Sequence, residues 1–170
     1  MSAVLEAMVE SVRPRVRGND PAAVAGDVSA AIRPFLAEPG LLEPAQCTGD
    51  EEHYVQHVLH VEPGGGFSVV ALVWLPGQCT PVHDHVAWCV TGVYCGVEHE
   101  QRYAVRGGRL VPTEQTTNHP GEVCGFAPPG DIHVVRNAGN RKAISIHVYG
   151  ADIGVLGSSV RRTYDLPVSR

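Results

Sequence analysis

Histidine is the residue type in this chain whose spacing most clearly indicates chemistry. The chain has nine histidines, and two of them stand in the segment His83-Asp84-His85 at an apparent strand start. Because successive side chains of a strand point to opposite faces, both imidazoles would project from one face. Imidazole is the commonest metal ligand in proteins, so the pair predicts adjacent ligands of a metal ion. Alone it is weak evidence, since such pairs also occur on protein surfaces.

A second alternating set, Ser145, His147 and Tyr149, lies in a later predicted strand. Alternation places its hydroxyl, imidazole and phenol on one face. There they can form a hydrogen-bonded row in which His147 orients Tyr149. The row predicts a polar catalytic group, although a purely structural row would show the same pattern.

The elements that must position these residues change type near residue 50. Residues 1–45 carry apolar side chains at helical spacing, and Asp20-Pro21 is a typical helix start. From residue 53 onward apolar and polar residues alternate, and clusters of proline and glycine separate the alternating segments. The predicted strands are 53–61, 67–74, 87–95, 98–106, 132–136 and 142–149.

Short strands at this spacing predict a sandwich or a barrel. We expect one domain over residues 1–170, a length that suits a single hydrophobic core. Within it we expect a helical segment at 1–45, a barrel at 53–150 and a C-terminal tail without a clear pattern at 151–170.

The composition limits the classes of partner. Hydrophobic residues make up 44% of the chain, and the formal net charge is -5. This is a globular composition without the basic blocks that bind nucleic acid or an anionic membrane surface. Glu6 and Glu10 interrupt the N-terminal stretch where a signal peptide would be apolar. We expect a cytoplasmic protein with small-molecule partners, and the oligomeric state stays open.

Two blocks of the strand region resemble the two sequence motifs of the cupin superfamily. The first, within 77–96, contains His83 and His85, and the second, within 128–137, contains His133. Cys89 stands where the first motif has glutamate, and the leading glycine of the second is displaced by one residue. The resemblance implies an all-β fold, a single cupin (jelly-roll type) β-barrel with the N-terminal helices packed outside.

The same resemblance implies that His83, His85 and His133 bind a metal in the mouth of the barrel. Without the glutamate, three neutral imidazoles leave a divalent cation its full charge, which favours an anionic ligand such as a thiolate. Zinc would also accept three imidazoles, so the identity of the metal does not follow from the ligand types.

Three histidine ligands together with the row of Ser145, His147 and Tyr149 resemble the cysteine dioxygenase family of cupins. These enzymes use non-haem Fe(II) and O2 to convert a small thiol into its sulfinate. The resemblance implies Fe(II) as cofactor, a small thiol and O2 as partners, and Tyr149, His147 and Ser145 as catalytic residues. Cys89 lies where mammalian-type members carry the cysteine that is joined to the active-site tyrosine by a thioether. A cross-link of Cys89 with Tyr149 is therefore a candidate, although many bacterial relatives have glycine there.

The substrate end of the site departs from the cysteine-specific pattern of Tyr-x-Arg. Here the segment reads Tyr54-Val55-Gln56, which resembles a bacterial branch associated with 3-mercaptopropionate. An amide cannot offer the bidentate ion pair that arginine gives a carboxylate. We expect Tyr54 and Gln56 to bind cysteine or 3-mercaptopropionate, with Arg161 or Arg162 as candidates for the carboxylate.

Two other functions are compatible with a metal-binding cupin. One is a different metal-dependent cupin enzyme, although such enzymes usually keep the glutamate whose place Cys89 takes. The other is a non-enzymatic cupin that binds a small ligand. The row ending at Tyr149 argues against the second, because a binding module does not need a phenol beside its metal.

Overall fold

The protein is described by a computed structural model over residues 1–169. Its first two helices are α1 (Ala3–Val12) and α2 (Pro21–Ile32), and the hydroxyl of Ser2 and the carboxylate of Asp20 cap their N-termini. Each cap oxygen accepts a bond from a backbone N–H that has no partner within the helix. Short 3-10 helices follow at Arg15–Arg17, Arg33–Ala37 and Pro44–Cys47.

The remainder of the described chain is mainly strand. The strands are β1 (Val55–Val61), β2 (Ser68–Trp74), β3 (His83–His85), β4 (Cys89–Cys95), β5 (Glu98–Arg106), β6 (Arg109–Asn118), β7 (Val123–Phe126), β8 (His133–Arg136), β9 (Ala143–Tyr149) and β10 (Val160–Thr163). A single turn of helix, α3 (Ile153–Leu156), separates the last two of them.

Within residues 1–169 the strands form two five-stranded antiparallel sheets. The first has the order β1-β2-β9-β4-β7 and the second the order β10-β3-β8-β5-β6. The predicted alternation explains the central strands of the first sheet. Val69, Ala71 and Val73 pack with the helices, whereas Val70 and Leu72 belong to a second apolar cluster on the other face.

The N-terminal helices cover the outer face of the first sheet, where α2 contacts β4 and β7. Glycine permits this close approach. A Cβ at Gly125 would lie 2.7 Å from Oγ of Ser29, and one at Gly92 would lie 2.6 Å from a methyl group of Leu36. The architecture is the predicted all-β barrel with helices on the outside.

Strands β3, β6, β7 and β10 lie outside the six predicted strands. Each lacks a long apolar alternation, and β6 carries Pro112, which suits its position at a sheet edge. The tail of the chain, which had no readable pattern, pairs through β10 with β3 and so lies beside the histidine segment. No helix within residues 1–169 is long and apolar enough to cross a membrane.

Candidate active site

Three histidines meet between the two sheets. His83 and His85 come from β3 and His133 from β8, and His83 is the direct cross-strand partner of His133. All three are buried, and one ring nitrogen of each lies within 4.8 Å of the others. Strand pairing therefore joins two blocks that are about fifty residues apart in the chain.

The second ring nitrogen of each histidine has a hydrogen-bond acceptor behind it. Nδ1 of His83 lies 2.9 Å from the carbonyl of Pro81, and Nδ1 of His85 lies 3.0 Å from a carboxylate oxygen of Asp131. Nδ1 of His133 lies 2.8 Å from Oε1 of Glu100. A carbonyl or an ionised carboxylate can only accept, so the proton is on Nδ1 and the lone pair on Nε2.

Electrostatics keep these groups in the forms that a metal requires. Burial, together with the neighbouring histidines, lowers the pKa of His83 to about 3. Burial alone would raise the pKa of Asp131, but the hydrogen bonds from His85 outweigh it and leave that pKa below its usual value. Burial alone would also raise the pKa of Glu100, but the hydrogen bonds from His133 and Arg102 outweigh it and leave that pKa below its usual value. His83 is thus neutral, and the carboxylates of Asp131 and Glu100 are ionised.

These residues fit a divalent metal ion. The buried Nε2 of His133 has no hydrogen-bond partner, an arrangement that costs free energy unless another group binds there. Carboxylates that accept the second N–H of a ligating histidine are a regular feature of metal sites. His83, His85 and His133 are the residues that would hold the ion.

The row of Ser145, His147 and Tyr149 is formed as a continuous hydrogen-bond chain on β9. Oγ of Ser145 lies 2.8 Å from Nε2 of His147, and Nδ1 of His147 lies 3.0 Å from the phenol oxygen of Tyr149. Nε1 of Trp74 donates to Ser145 at 3.2 Å. Burial and the nearby histidines lower the pKa of His147 to about 3, so its imidazole is neutral.

The row ends beside the histidine cluster. The rings of Tyr149 and His85 are stacked with centroids 6.0 Å apart. Burial raises the pKa of Tyr149 well above its usual value, so the phenol keeps its proton. When neutral His147 carries its proton on Nδ1, the imidazole donates to the phenol oxygen, and the O–H group of Tyr149 can donate a hydrogen bond in the cavity next to the histidines.

A small cavity connects the two groups of residues. The space open to the centre of a water-sized sphere is about 30 Å³, and one water needs roughly 10–15 Å³ by that measure. The cavity therefore suits a ligand of few non-hydrogen atoms. Its lining consists of Tyr54, Gln56, Leu72, Trp74, Thr80, His83, His85, His133, Val135, His147, Tyr149, Ser158, Ser159 and Val160.

The structure places Tyr54 and Gln56 in this lining, on the side formed by β1. The ring of Tyr54 stacks on Trp74 with centroids 4.5 Å apart. The amide nitrogen of Gln56 donates to the carbonyl of Gly157 at 3.0 Å. This bond connects β1 to the segment between α3 and β10, whose serines also line the cavity.

The two candidate arginines lie outside the lining. Arg161 is hydrogen-bonded to Asp84, the residue between the paired histidines, and Tyr164 also donates to Asp84 at 2.7 Å. The guanidinium of Arg162 lies 4.8 Å from the centre of the Tyr164 ring. The alternation that points His83 and His85 inward points Asp84 outward, so Asp84 holds Arg161 on the far side of β3.

Cys89 and Tyr149 are direct cross-strand partners on β4 and β9. Side chains of directly opposed residues share a face of the sheet, with Cβ atoms about 4.5–5.5 Å apart. Cys89 is fully buried, and burial raises the pKa of its thiol well above the usual value. The thiol is therefore protonated where it adjoins the tyrosine.

Sequence reasoning missed the groups that support the row and the histidines. These are Trp74, Asp131, Glu100 and the buried Glu98, which lies beside Ser145 and Trp74. A signal was present for two of them, because Glu98 and Glu100 alternate on one face of a predicted strand. Asp131 gave no such signal, since it supports a histidine of a different strand.

The sequence matches the family described as cysteine dioxygenase type I over residues 45–154, which is more than half of the chain and includes every histidine of the cluster. The chain belongs to this family. Membership makes it a cupin and a dioxygenase-type oxidoreductase, in a family that generally depends on non-haem iron. The histidine cluster of this cysteine dioxygenase family member is where such a metal could bind.

Solved structures support the same fold. A Klebsiella pneumoniae protein with a double-stranded β-helix domain is 20% identical, with a TM-score of 0.51 over 68% of this chain and 91% of that chain. A recombinant oxalate oxidase in complex with glycolate is also 20% identical, with a TM-score of 0.51 over 68% of this chain and 62% of that chain. At this identity the likeness shows the fold alone, and the predicted cupin barrel is confirmed.

Proposed function

We propose that this protein is an iron-dependent thiol dioxygenase. It adds both atoms of O2 to the sulfur of a small thiol and forms the sulfinate. Cysteine and 3-mercaptopropionate are the first candidate substrates. The observation that carries the proposal is a set of three buried histidines whose ring nitrogens converge beside the phenol of Tyr149. Membership of the cysteine dioxygenase type I family supports it.

His83, His85 and His133 would hold the iron, and Asp131 and Glu100 fix the orientation of two of the rings. Bound there, non-haem Fe(II) supplies an electrophilic, redox-active site that accepts a thiolate and O2. Three imidazole ligands would leave the cation its full charge, so a substrate thiolate would supply the negative charge that a carboxylate supplies in other cupins.

Tyr149 supplies the polar group at the reacting atoms. Its O–H can donate a hydrogen bond to the sulfur or to an oxygen atom as charge develops there. His147 and Ser145 hold the phenol in place through the hydrogen-bonded row, and Trp74 anchors the row at Ser145. The reaction is balanced without an external reductant, because the sulfur loses the electrons that O2 gains and both oxygen atoms stay on sulfur.

Gln56 and Tyr54 would bind the other end of the substrate. Both line the cavity, and the glutamine supports the branch of the family that is associated with 3-mercaptopropionate. Arg161 and Arg162 would have to leave Asp84 and Tyr164 to reach the substrate. Gln56 and Tyr54 would therefore bind the far end of the substrate.

A thioether between Cys89 and Tyr149 is part of the proposal. It would form by loss of the thiol hydrogen and one ring hydrogen of the tyrosine, with O2 as the two-electron oxidant that takes up both hydrogens as hydrogen peroxide. The cross-strand pairing of the two residues supports it. The bond would hold the phenol in one position beside the cavity.

The test is O2 consumption by the iron-loaded protein with L-cysteine and 3-mercaptopropionate in parallel assays, with the product identified by mass. We expect uptake with formation of the sulfinate, one O2 per thiol. Iron bound in stoichiometric amount without O2 uptake with any small thiol would contradict the proposal. That result would indicate another metal-dependent cupin enzyme or a cupin that only binds its ligand.

A further inference from the structure

The hydrogen-bonded row on β9 continues beyond Ser145 to a buried carboxyl group. Glu98 on β5 is 2% exposed, and its side chain lies in hydrogen-bond contact with Ser145 and Trp74. Glu98 and Ser145 belong to different sheets, so the contact is made across the interior of the barrel. Together with His147 and Tyr149, these groups form a connected series from the buried carboxyl to the phenol beside the histidine cluster.

The hydroxyl group of Ser145 is the branch point of this series. It has one hydrogen to donate and two lone pairs that accept. Nε1 of Trp74 can only donate, and at 3.2 Å it fills one of the lone pairs. The hydrogen of Ser145 can turn either to Nε2 of His147 or to Glu98. The proton of Glu98 decides between them, because a carboxylic acid can donate whereas a carboxylate can only accept.

With Glu98 protonated, the row points toward the cavity. The carboxylic acid donates to the oxygen of Ser145, and the hydroxyl of Ser145 donates to Nε2 of His147, 2.8 Å away. Neutral His147 then carries its proton on Nδ1 and donates to the phenol oxygen of Tyr149 at 3.0 Å. The hydrogen of the phenol is left to point into the cavity beside the histidine cluster.

With Glu98 ionised, the row points the other way. The carboxylate takes the hydrogen of Ser145 in a charge-assisted bond, which is stronger than a bond between neutral groups. The oxygen of Ser145 then accepts from Nε2 of His147, and Nδ1 accepts the phenol hydrogen of Tyr149. Both arrangements pair every polar atom of Ser145 and His147, so neither leaves a buried group without a partner.

The change from the first arrangement to the second conserves protons. Glu98 passes one proton to Ser145, Ser145 passes one to Nε2 of His147, and Nδ1 passes one to Tyr149. The original phenol proton leaves into the cavity, and one negative charge remains on Glu98. The row therefore gives the buried carboxyl group a path along which it can exchange its proton.

Titratable side chains approach Glu98 from its own strand and from the facing sheet. They are Glu100 on β5, Cys95 on β4, Cys124 on β7, and His147 and Tyr149 on β9. The opposite residue on β6, Asn118, is uncharged. Burial raises the pKa of both thiols and of the phenol and lowers that of the imidazole, so all four stay neutral near pH 7. Against the effect of burial, hydrogen bonds from His133 and Arg102 keep the pKa of Glu100 low. Burial raises the pKa of Glu98 to about 7, so Glu98 is the member of this group whose charge changes near neutral pH.

We propose that Glu98 is a positioning residue that sets the direction of the row, so that Tyr149 donates into the cavity only while Glu98 is protonated. The inference deepens the proposed function and rests on it, because Tyr149 is the group that this function places at the reacting atoms. Turnover should therefore fall as rising pH ionises Glu98 and turns the phenol hydrogen toward His147.

The first test reads the direction of the row without turnover. Nitrogen NMR of the full-length, zinc-loaded protein reports which ring nitrogen of His147 carries the proton, and zinc has no redox chemistry. We expect the proton on Nδ1 at pH 6 and on Nε2 at pH 8.5. Glu98→Gln has no charge to gain and should show one tautomer throughout, whereas Glu122→Gln, at an exposed position, should switch as the wild type does. The same tautomer of wild-type His147 at both pH values would overturn the inference, even if the Glu98→Gln protein does not fold.

The second test is the pH profile of kcat for the iron-loaded protein at saturating cysteine or 3-mercaptopropionate. Wild-type kcat should fall about tenfold between pH 6 and pH 8, as expected when only the protonated form of a group that titrates near pH 7 is active. Glu98→Gln should lose this fall, and Glu122→Gln should keep it. An equal fall in the wild type and in Glu98→Gln would contradict the positioning role of Glu98.

The two readouts separate this inference from the proposed function. If the tautomer of His147 switches with pH and no small thiol is oxidised, the direction of the row depends on Glu98 and the dioxygenase proposal fails. If a thiol is oxidised and the tautomer does not switch, the dioxygenase proposal stands and the inference fails. If neither is observed, both are overturned.

Discussion

The imidazole of His133 is held by Glu100. Nδ1 of His133 lies 2.8 Å from Oε1 of Glu100, and that same oxygen lies 3.0 Å from Nε of Arg102. The histidine and the glutamate are both buried. One carboxylate therefore determines the proton position on the ring and directs Nε2 toward the other two histidines.

Glu100→Gln should weaken metal binding about 10- to 100-fold, the usual effect of removing a carboxylate behind a ligating histidine. The amide is neutral, so it makes the imidazole a weaker donor to the metal. Affinity is measured by competition with a chromophoric chelator. Glu114→Gln is the control, because exposed Glu114 also faces Arg102, at 3.7 Å, without touching a histidine. Equal affinity of the two variants would contradict the role of Glu100.

His133→Ala should remove most of the bound metal, because it deletes one of three converging ligands. Metal content after loading and desalting is measured by elemental analysis. His99→Ala serves as the control, since His99 bonds to Thr117 and lies outside the cluster. A His133→Ala protein with full metal content and full activity would refute the assignment of the metal site.

Tyr149→Phe removes only the hydroxyl group at the end of the row. We expect kcat to fall by about 10²-fold or more, as when one positioned donor is removed from an active site, while metal content stays unchanged. Tyr103→Phe, on the second sheet and outside the cavity lining, is the control. Unchanged turnover in Tyr149→Phe would exclude a catalytic role for the phenol.

Glu98 should make the stability of the protein fall as pH rises. Burial is the main cause of a rise in its pKa to about 7. The charge of Glu100 contributes to this rise, and a hydrogen bond with Ser145 opposes it. The folded state therefore keeps a proton that the unfolded chain releases near its ordinary pKa of about 4.3. Between these values each rise in pH favours unfolding, by up to about 4 kcal/mol in total.

Glu98→Gln removes that titration. Urea unfolding between pH 5 and pH 8 should show a smaller loss of stability with rising pH in the variant than in the wild type. Glu122→Gln, a change at an exposed glutamate in the loop before β7, should leave the wild-type slope in place. The same pH dependence in wild type and Glu98→Gln would contradict the raised pKa.

The thioether between Cys89 and Tyr149 is tested by peptide mass mapping after incubation with iron, O2 and thiol. We expect a joined peptide that has lost two hydrogen atoms. Cys89→Ser should abolish it, and Cys95→Ser should not, because Cys95 is opposite Ile144 rather than a tyrosine. Separate Cys89 and Tyr149 peptides under all conditions would show that proximity alone does not produce the bond.

The sequence predicted the parts of the site that depend on local alternation. His83 and His85 share a face because they are two apart on one strand, and the same holds for His147 and Tyr149. The helical segment and most central strands were also predicted from the sequence, because the periodicity of apolar residues indicates which face of an element is buried. The edge strand β6 and the tail strand β10 bury little apolar surface, so their sequences show no clear apolar periodicity.

The supporting groups were decided only by the tertiary structure. Asp131 is two residues from His133, yet it bonds to His85 on another strand. Arg161 is drawn to Asp84 because β10 pairs with β3, a contact between the tail and the middle of the chain. Alternation predicts which residues share a face of one strand. Pairing between strands that are distant in the sequence determines which charged side chains come into contact. The sequence by itself therefore predicted which histidines form the cluster and which residues form the row at Tyr149, and the folded chain decided the charge that surrounds them.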